Sequence, residues 1–144
     1  MAAQPFPNVS KPGPYALTCQ CQRIKITIPS LPEFANLCDC SLCFKYGIAW
    51  GYFHPSLVTI QGEPVTLYPE SQESKEGDPI LHYVWNTRTR AFGHCANCGT
   101  SLYWKLTEKG AREEAERGEA PDVAINMKLL GPETFKTLKH VCLD

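Results

Sequence analysis

From Arg23 to Ile28 polar and apolar residues alternate without a break, which places Ile24, Ile26 and Ile28 on one face of a strand and Arg23, Lys25 and Thr27 on the other. Pro29 and Pro32 mark its end. Tyr15 to Thr18 begins the strand before it, and residues 1–14, with four prolines and a glycine, are expected as an extended arm. Ser41 to Tyr46 predicts one helical turn stopped by Gly47, and Ile48 to Phe53 a buried strand. His54-Pro55 and Gly62-Glu63-Pro64 are turn signals separating short strands at Leu57 to Gln61 and Val65 to Tyr68. Pro69 to Pro79 is polar and predicts a solvated hairpin loop; Ile80 to Asn86 is strand-like again. Ala91 to His94 and Ser101 to Lys105 predict a hairpin. Thr107 to Glu119 favours helix by composition but lacks an apolar stripe and carries Gly110, so it is expected as an exposed excursion. Val123 to Met127, a helical turn at Gly131-Pro132-Glu133 and a last strand at Leu138 to Val141 complete a mainly β, antiparallel chain with short helical turns.

Composition narrows the partners. The 144 residues suit one folded unit, expected over residues 15–144 behind the arm. Fourteen basic and 15 acidic residues, a net charge of -1, are scattered rather than striped, which disfavours nucleic acid and anionic membranes as partners. No apolar run reads as a leader or a membrane span, so a cytoplasmic location is expected.

In a reducing compartment, clustered thiols are metal ligands more often than disulfides. Seven of the eight cysteines fall in three clusters: Cys19-Gln20-Cys21, then Cys38-Asp39-Cys40-Ser41-Leu42-Cys43, then Cys95-Ala96-Asn97-Cys98. Zinc takes four protein ligands in a structural site and keeps a position open in a catalytic one. Cys19, Cys21, Cys95 and Cys98 supply four thiolates, which closes one structural site across a long span of chain. Cys38, Cys40 and Cys43 supply three, leaving a second zinc ion with a vacancy for water or a substrate. Three thiolates make that ion a weak activator of water but a good partner for a soft substrate thiol.

The order CxC, CxCxxC, CxxCGT, with strands between, resembles the glutathione-dependent formaldehyde-activating enzymes and the related centromere protein V group, over roughly Thr18 to Asn126. The resemblance implies a β-tent fold, a structural zinc on Cys19, Cys21, Cys95 and Cys98, and a catalytic zinc on Cys38, Cys40 and Cys43. It also implies carbon–sulfur lyase chemistry of the S-(hydroxymethyl)glutathione synthase type, with glutathione or another thiol as the small-molecule substrate. The sequence departs from the common pattern at Thr18, Gln22, Asp39 and Phe44 and in the long excursion after Thr107; these changes bear on the substrate more than on the metals.

Two rival functions remain open at this stage. One is a non-catalytic, zinc-stabilised binding module, and the other a related zinc enzyme doing hydrolysis, elimination or decarboxylation on another small molecule. Cys142, near the C-terminus and outside every cluster, is expected outside both sites; the alternative, folding back as a fourth ligand on the second ion, would close that site and remove its chemistry. His54 and His94 are expected as structural histidines, Asp39 as facing water, Trp50, Trp85 and Trp104 as core, and Lys45, Arg88 and Arg90 as solvated charges. Oligomeric state is not legible.

Overall fold

Ile24, Ile26 and Ile28 are all buried, as the alternation requires, and they anchor the first of two sheets. A computed structural model describes residues 9–69 and 75–143. Strand β1 (Val9–Thr18) pairs antiparallel with β2 (Lys25–Pro32), placing Leu17 opposite Ile26 and Tyr15 opposite Ile28. The expected arm is therefore extended, but its described part, residues 9–14, is already strand and runs beside β2. Residues 1–8 lie outside the described residues, as do residues 70–74 of the predicted polar loop. Two short strands, β5 (Thr59–Ile60) and β6 (Glu63–Pro64), complete this sheet in the order β1-β2-β5-β6.

Among the described residues the second sheet has seven strands. These include β3 (Phe34–Asn36), β4 (Trp50–Phe53), β7 (Ile80–Val84), β8 (Arg90–Cys95) and β9 (Ser101–Leu106). With β10 (Val123–Asn126) and β11 (Lys139–Val141) the order is β11-β3-β4-β10-β9-β8-β7. All four residues of β10 are buried, as befits a central strand covered on both faces. The pairs are antiparallel except β11 with β3, which run parallel, so this sheet is mixed at one edge. Such a pairing joins segments about a hundred residues apart and leaves no local signature.

Alternation along the central strands divides the interior. Val123, Ile125, Tyr103 and Phe53 point toward the first sheet and its isoleucines, forming the main core. Ala124, Trp104, Leu106, Trp50 and Phe92 point the other way, into a smaller core beneath the second cysteine cluster. The fold is thus a two-sheet, mainly β structure whose larger sheet carries an aromatic outer face.

Helices are few. α1 (Ser41–Tyr46) stops at Gly47 as predicted. α2 (Glu108–Glu116) occupies the stretch expected as an exposed excursion, and it is a docked helix instead. The Thr107 hydroxyl accepts from Gly110 N at 3.0 Å and donates to Arg88 O at 2.7 Å, so the helix start is tied to the turn after β7. Its buried positions are Gly110 and Glu114, one turn apart, a glycine and an acid that no hydrophobicity pattern would mark as a packing face. α3 (Pro132–Phe135) forms at the predicted Gly-Pro-Glu turn. Of the expected strand at residues 65–68, Tyr68 alone forms a bridge, to Thr107.

Candidate metal centres

Each of the first and third cysteine clusters sits on the tip of a hairpin. Between β1 and β2 the chain turns through Gln22 in the left-handed region, with Gln22 N bonded to Cys19 O at 2.9 Å. Between β8 and β9, Gly99 N bonds to Cys95 O at 2.9 Å and Gly99 has φ 77°, a conformation glycine adopts without strain. The two hairpins belong to different sheets, and their tips bring Cys19, Cys21, Cys95 and Cys98 together with all four sulfurs within 4.8 Å of one another. Cys21 Sγ lies 3.6 Å from Cys19 Sγ and 3.6 Å from Cys95 Sγ. Sulfurs bound tetrahedrally to one zinc ion at about 2.3 Å stand about 3.8 Å apart, so the spacing fits an ion among them.

Amide hydrogens converge on these sulfurs. Ile24 N approaches Cys19 Sγ at 3.4 Å, and Asn97 N and Cys98 N approach Cys95 Sγ at 3.4 and 3.5 Å. The Thr100 hydroxyl lies 3.1 Å from Cys98 Sγ and, with its amide, holds the Cys98 thiol down to about 5, while burial pushes Cys95 up to about 11. Cys21 is also held low, first by the Asn97 side chain. Thiols pulled in opposite directions within contact distance form a donor set that a divalent cation would bring uniformly to the thiolate.

The second cluster is built differently. The chain leaves β3 at Asn36 and winds through Cys38 and Cys40 into α1, where Cys40 is the N-cap and its sulfur accepts from Cys43 N at 3.4 Å. One helical turn then carries Cys43 back beside it, and the sulfurs of Cys38, Cys40 and Cys43 lie within 4.8 Å of one another. Cys43 is buried, and burial pushes its thiol up to about 12 against the pull of the Trp50 indole, whose Nε1 donates to Cys43 Sγ at 3.3 Å. For Cys40 burial, the largest single effect, works in the same upward direction, but hydrogen bonds from Cys43, Cys38 and Leu42 together outweigh it and the thiol is lowered. This donor set also fits a thiophilic cation, with three ligands rather than four.

Cys142 is exposed and, among the described residues, is not one of the sulfurs of either group. His54 caps a short turn, its Nδ1 2.8 Å from Ser56 Oγ, and neither it nor His94 joins a ligand group among the described residues. Asp39 is exposed. Lys45 and Arg88 are likewise exposed, but Arg90 is not simply a solvated charge. Its guanidinium lies 4.5 Å from the centre of the Trp104 ring and 3.5 Å from Glu114 Oε2.

The three sulfurs of the second cluster lie on one wall of a cavity of about 360 Å³. Trp50, Trp85 and Trp104 line it, together with Tyr52, Arg90 and Asp122. Trp50 and Trp104 are buried, as core residues should be, yet the surface they present is also a ligand wall, and Trp85 lies beyond the end of β7 rather than within a strand. Asn36 was not singled out by the sequence. It is buried, donates through Nδ2 to Tyr52 Oη at 2.7 Å and accepts from Leu143 N at 2.8 Å, so it fixes the start of the cysteine loop to β4 and to the C-terminal segment. Glu114 and Asp122 were also missed, because their proximity arises from the connection between α2 and β10 and has no motif.

No helix among the described residues is long and apolar enough to cross a membrane. A search of curated proteins finds no match. Among solved structures, a crystal structure of a Rhodobacter sphaeroides protein, a structural genomics target, superposes with a TM-score of 0.59 over 88% of this chain and 100% of that one. At 19% identity that likeness concerns the fold. The model for the family described as glutathione-dependent formaldehyde-activating enzyme matches residues 14–119, which include all seven clustered cysteines. Motif order, two-sheet fold and family match agree: the chain belongs to the glutathione-dependent formaldehyde-activating enzyme family.

Proposed function

We propose that this protein is a zinc-dependent carbon–sulfur enzyme that works on a thiol adduct in the cavity beside Cys38, Cys40 and Cys43. The observation that carries the reading is the unequal setting of the two sulfur groups. One is enclosed by two hairpin tips with four ligands; the other has three, facing a cavity large enough for a small molecule. Cys19, Cys21, Cys95 and Cys98 would hold a structural zinc that pins the two sheets together. Cys38, Cys40 and Cys43 would hold the reactive zinc.

When bound there, zinc would stabilise a substrate thiolate and polarise a carbonyl oxygen. The chain's own residues do the rest. The Trp50 indole N–H fixes Cys43 and balances its charge. The indoles of Trp50, Trp85 and Trp104 displace water from around the reacting sulfur. The family's reaction supplies the substrates: the sulfur of glutathione bonds to the carbon of formaldehyde, and the thiol proton ends on the former carbonyl oxygen as the hydroxyl of S-hydroxymethylglutathione. The reverse step breaks the same carbon–sulfur bond.

The test is direct. Zinc-loaded protein mixed with glutathione and carbon-13 formaldehyde, followed by exchange NMR, should interconvert adduct and free aldehyde faster than buffer does. Cys43→Ser should abolish the acceleration while the fold persists. Absence of acceleration with glutathione and with other small thiols would overturn the proposal.

A further inference from the structure

The larger sheet has a cavity on its other face as well. β9 turns Trp104 toward the cysteines and therefore Tyr103 and Lys105 the opposite way, toward the first sheet. There they line a cavity of about 460 Å³, larger than the 360 Å³ beside the cysteines, which opens between β6 and β7, the edge strands of the two sheets. Gly93 stands between His82 and Tyr103 in the strand register, and a Cβ there would meet the Tyr103 ring at 2.7 Å. With no side chain in the way, the ring crosses Gly93 and its Oη reaches His82 Nε2 at 2.6 Å. The Tyr68 ring packs against His82, with centroids 4.7 Å apart.

Lys105 is the one lysine or arginine lining this cavity among the described residues. Its Nζ reaches Thr66 Oγ1 at 3.5 Å, a long contact, and it forms no ion pair among the described residues. Two acids also line the cavity, but Asp78 turns Oδ2 to Lys75 N at 2.8 Å and Glu63 is exposed. Burial, with Lys105 nearby, keeps His82 uncharged near neutral pH. Burial also pulls the Lys105 ammonium below its ordinary range, the mark of a cation whose lost hydration nothing has replaced. The rest of the wall is largely apolar: Ile60, Val65 and Ile80 are half-buried, and Leu67 is exposed beside them.

We infer that this cavity is a second binding site, taking a small monocarboxylate with an apolar body, its carboxylate on Lys105 Nζ and its body against Ile60, Val65, Leu67 and Ile80. An anionic head supplies the counter-charge that Lys105 lacks, in a charge-assisted hydrogen bond. The apolar body covers the leucine and isoleucine surface, and the volume suits a small molecule. Asp78 and Glu63 repel further negative charge, which favours a monoanion over a phosphate or a dicarboxylate. The site lies across the sheet from the three cysteines and does not depend on the thiol chemistry proposed there.

The experiment titrates the zinc-loaded full chain with hexanoate and with hexanamide, probes of matched shape that differ in charge, and follows proton–nitrogen correlation NMR. Hexanoate should shift the backbone signals of Val65, Leu67, Ile80 and Lys105 saturably. The Trp50 indole signal, which reports on the cysteine cavity, should stay in place. Hexanoate should bind at least about tenfold more tightly than hexanamide, the scale of one hydrogen bond to a charged group. Lys105→Met keeps the apolar stem and should lower hexanoate to the affinity of hexanamide. Equal affinities in the wild-type protein, which needs no variant to fold, would overturn the inference, and so would a preference that survives Lys105→Met. Absence of a saturable shift would overturn it too, as would shifts confined to the Trp50 indole, which would put the carboxylate on the metal at the cysteines. None of these outcomes decides whether the cysteine site works on thiols.

Discussion

The indole Nε1 of Trp50 donates to Cys43 Sγ at 3.3 Å, so the most buried strand tryptophan of the larger sheet is also the hydrogen-bond partner of the most buried thiol in the three-cysteine group. Without that donor Cys43 would sit in an apolar setting that disfavours the thiolate a metal requires. Trp50→Phe should weaken metal binding at the three-cysteine site by about 10- to 100-fold, the usual cost of removing a group that orients a ligand. A chelator competition that resolves two metal equivalents checks this, with the affinity of the four-cysteine site unchanged as the internal control.

Gly110 is a glycine in the first turn of α2, where alanine is ordinarily favoured by at most about 1 kcal/mol. Here a Cβ would collide with the carbonyl oxygen of Thr89, a backbone atom that cannot move aside. The collision should outweigh the propensity gain. Gly110→Ala is expected to destabilise the protein by about 1–3 kcal/mol, measured by denaturant unfolding, and to loosen Glu114 from Arg90.

How much of this was legible in the residues depends on the range over which each feature is encoded. The isoleucine alternation of β2, the two hairpin knuckles and the single turn of α1 are local, and each forms where its residues indicate. Features assembled from distant segments were not legible. The parallel pairing of β11 with β3 has no local marker, and neither does the meeting of Arg90 with Glu114. Trp50 and Trp104 show a different limit: a tryptophan in a buried strand has the same pattern whether its far edge meets another side chain or a ligand cavity. The residues of α2 read as an exposed excursion because its buried positions are a glycine and a glutamate, which carry no hydrophobic signal.

His82 supplies a pH dependence whose sign can be worked out. Its ring lies 2.6 Å from Tyr103 Oη, and burial, helped by Lys105 and His94, lowers its pKa from 6.5 to about 4. As the pH falls through 6.5 the unfolded chain takes up a proton there while the folded one does not, so stability is lost progressively until the pH reaches about 4. His82→Gln should lack this component. Unfolding free energies of the two proteins at saturating metal should diverge across that window, the wild type losing more on acidification; parallel curves would contradict the assignment.

The central claim is that the seven clustered sulfurs are divided four and three between two ions. Anomalous scattering at the zinc edge from crystals of fully loaded protein tests it most directly. The account predicts two peaks: one enclosed by the sulfurs of Cys19, Cys21, Cys95 and Cys98, the other held by Cys38, Cys40 and Cys43 with a fourth ligand that is not protein. A single peak, or a second ion whose fourth ligand is Cys142, would contradict it.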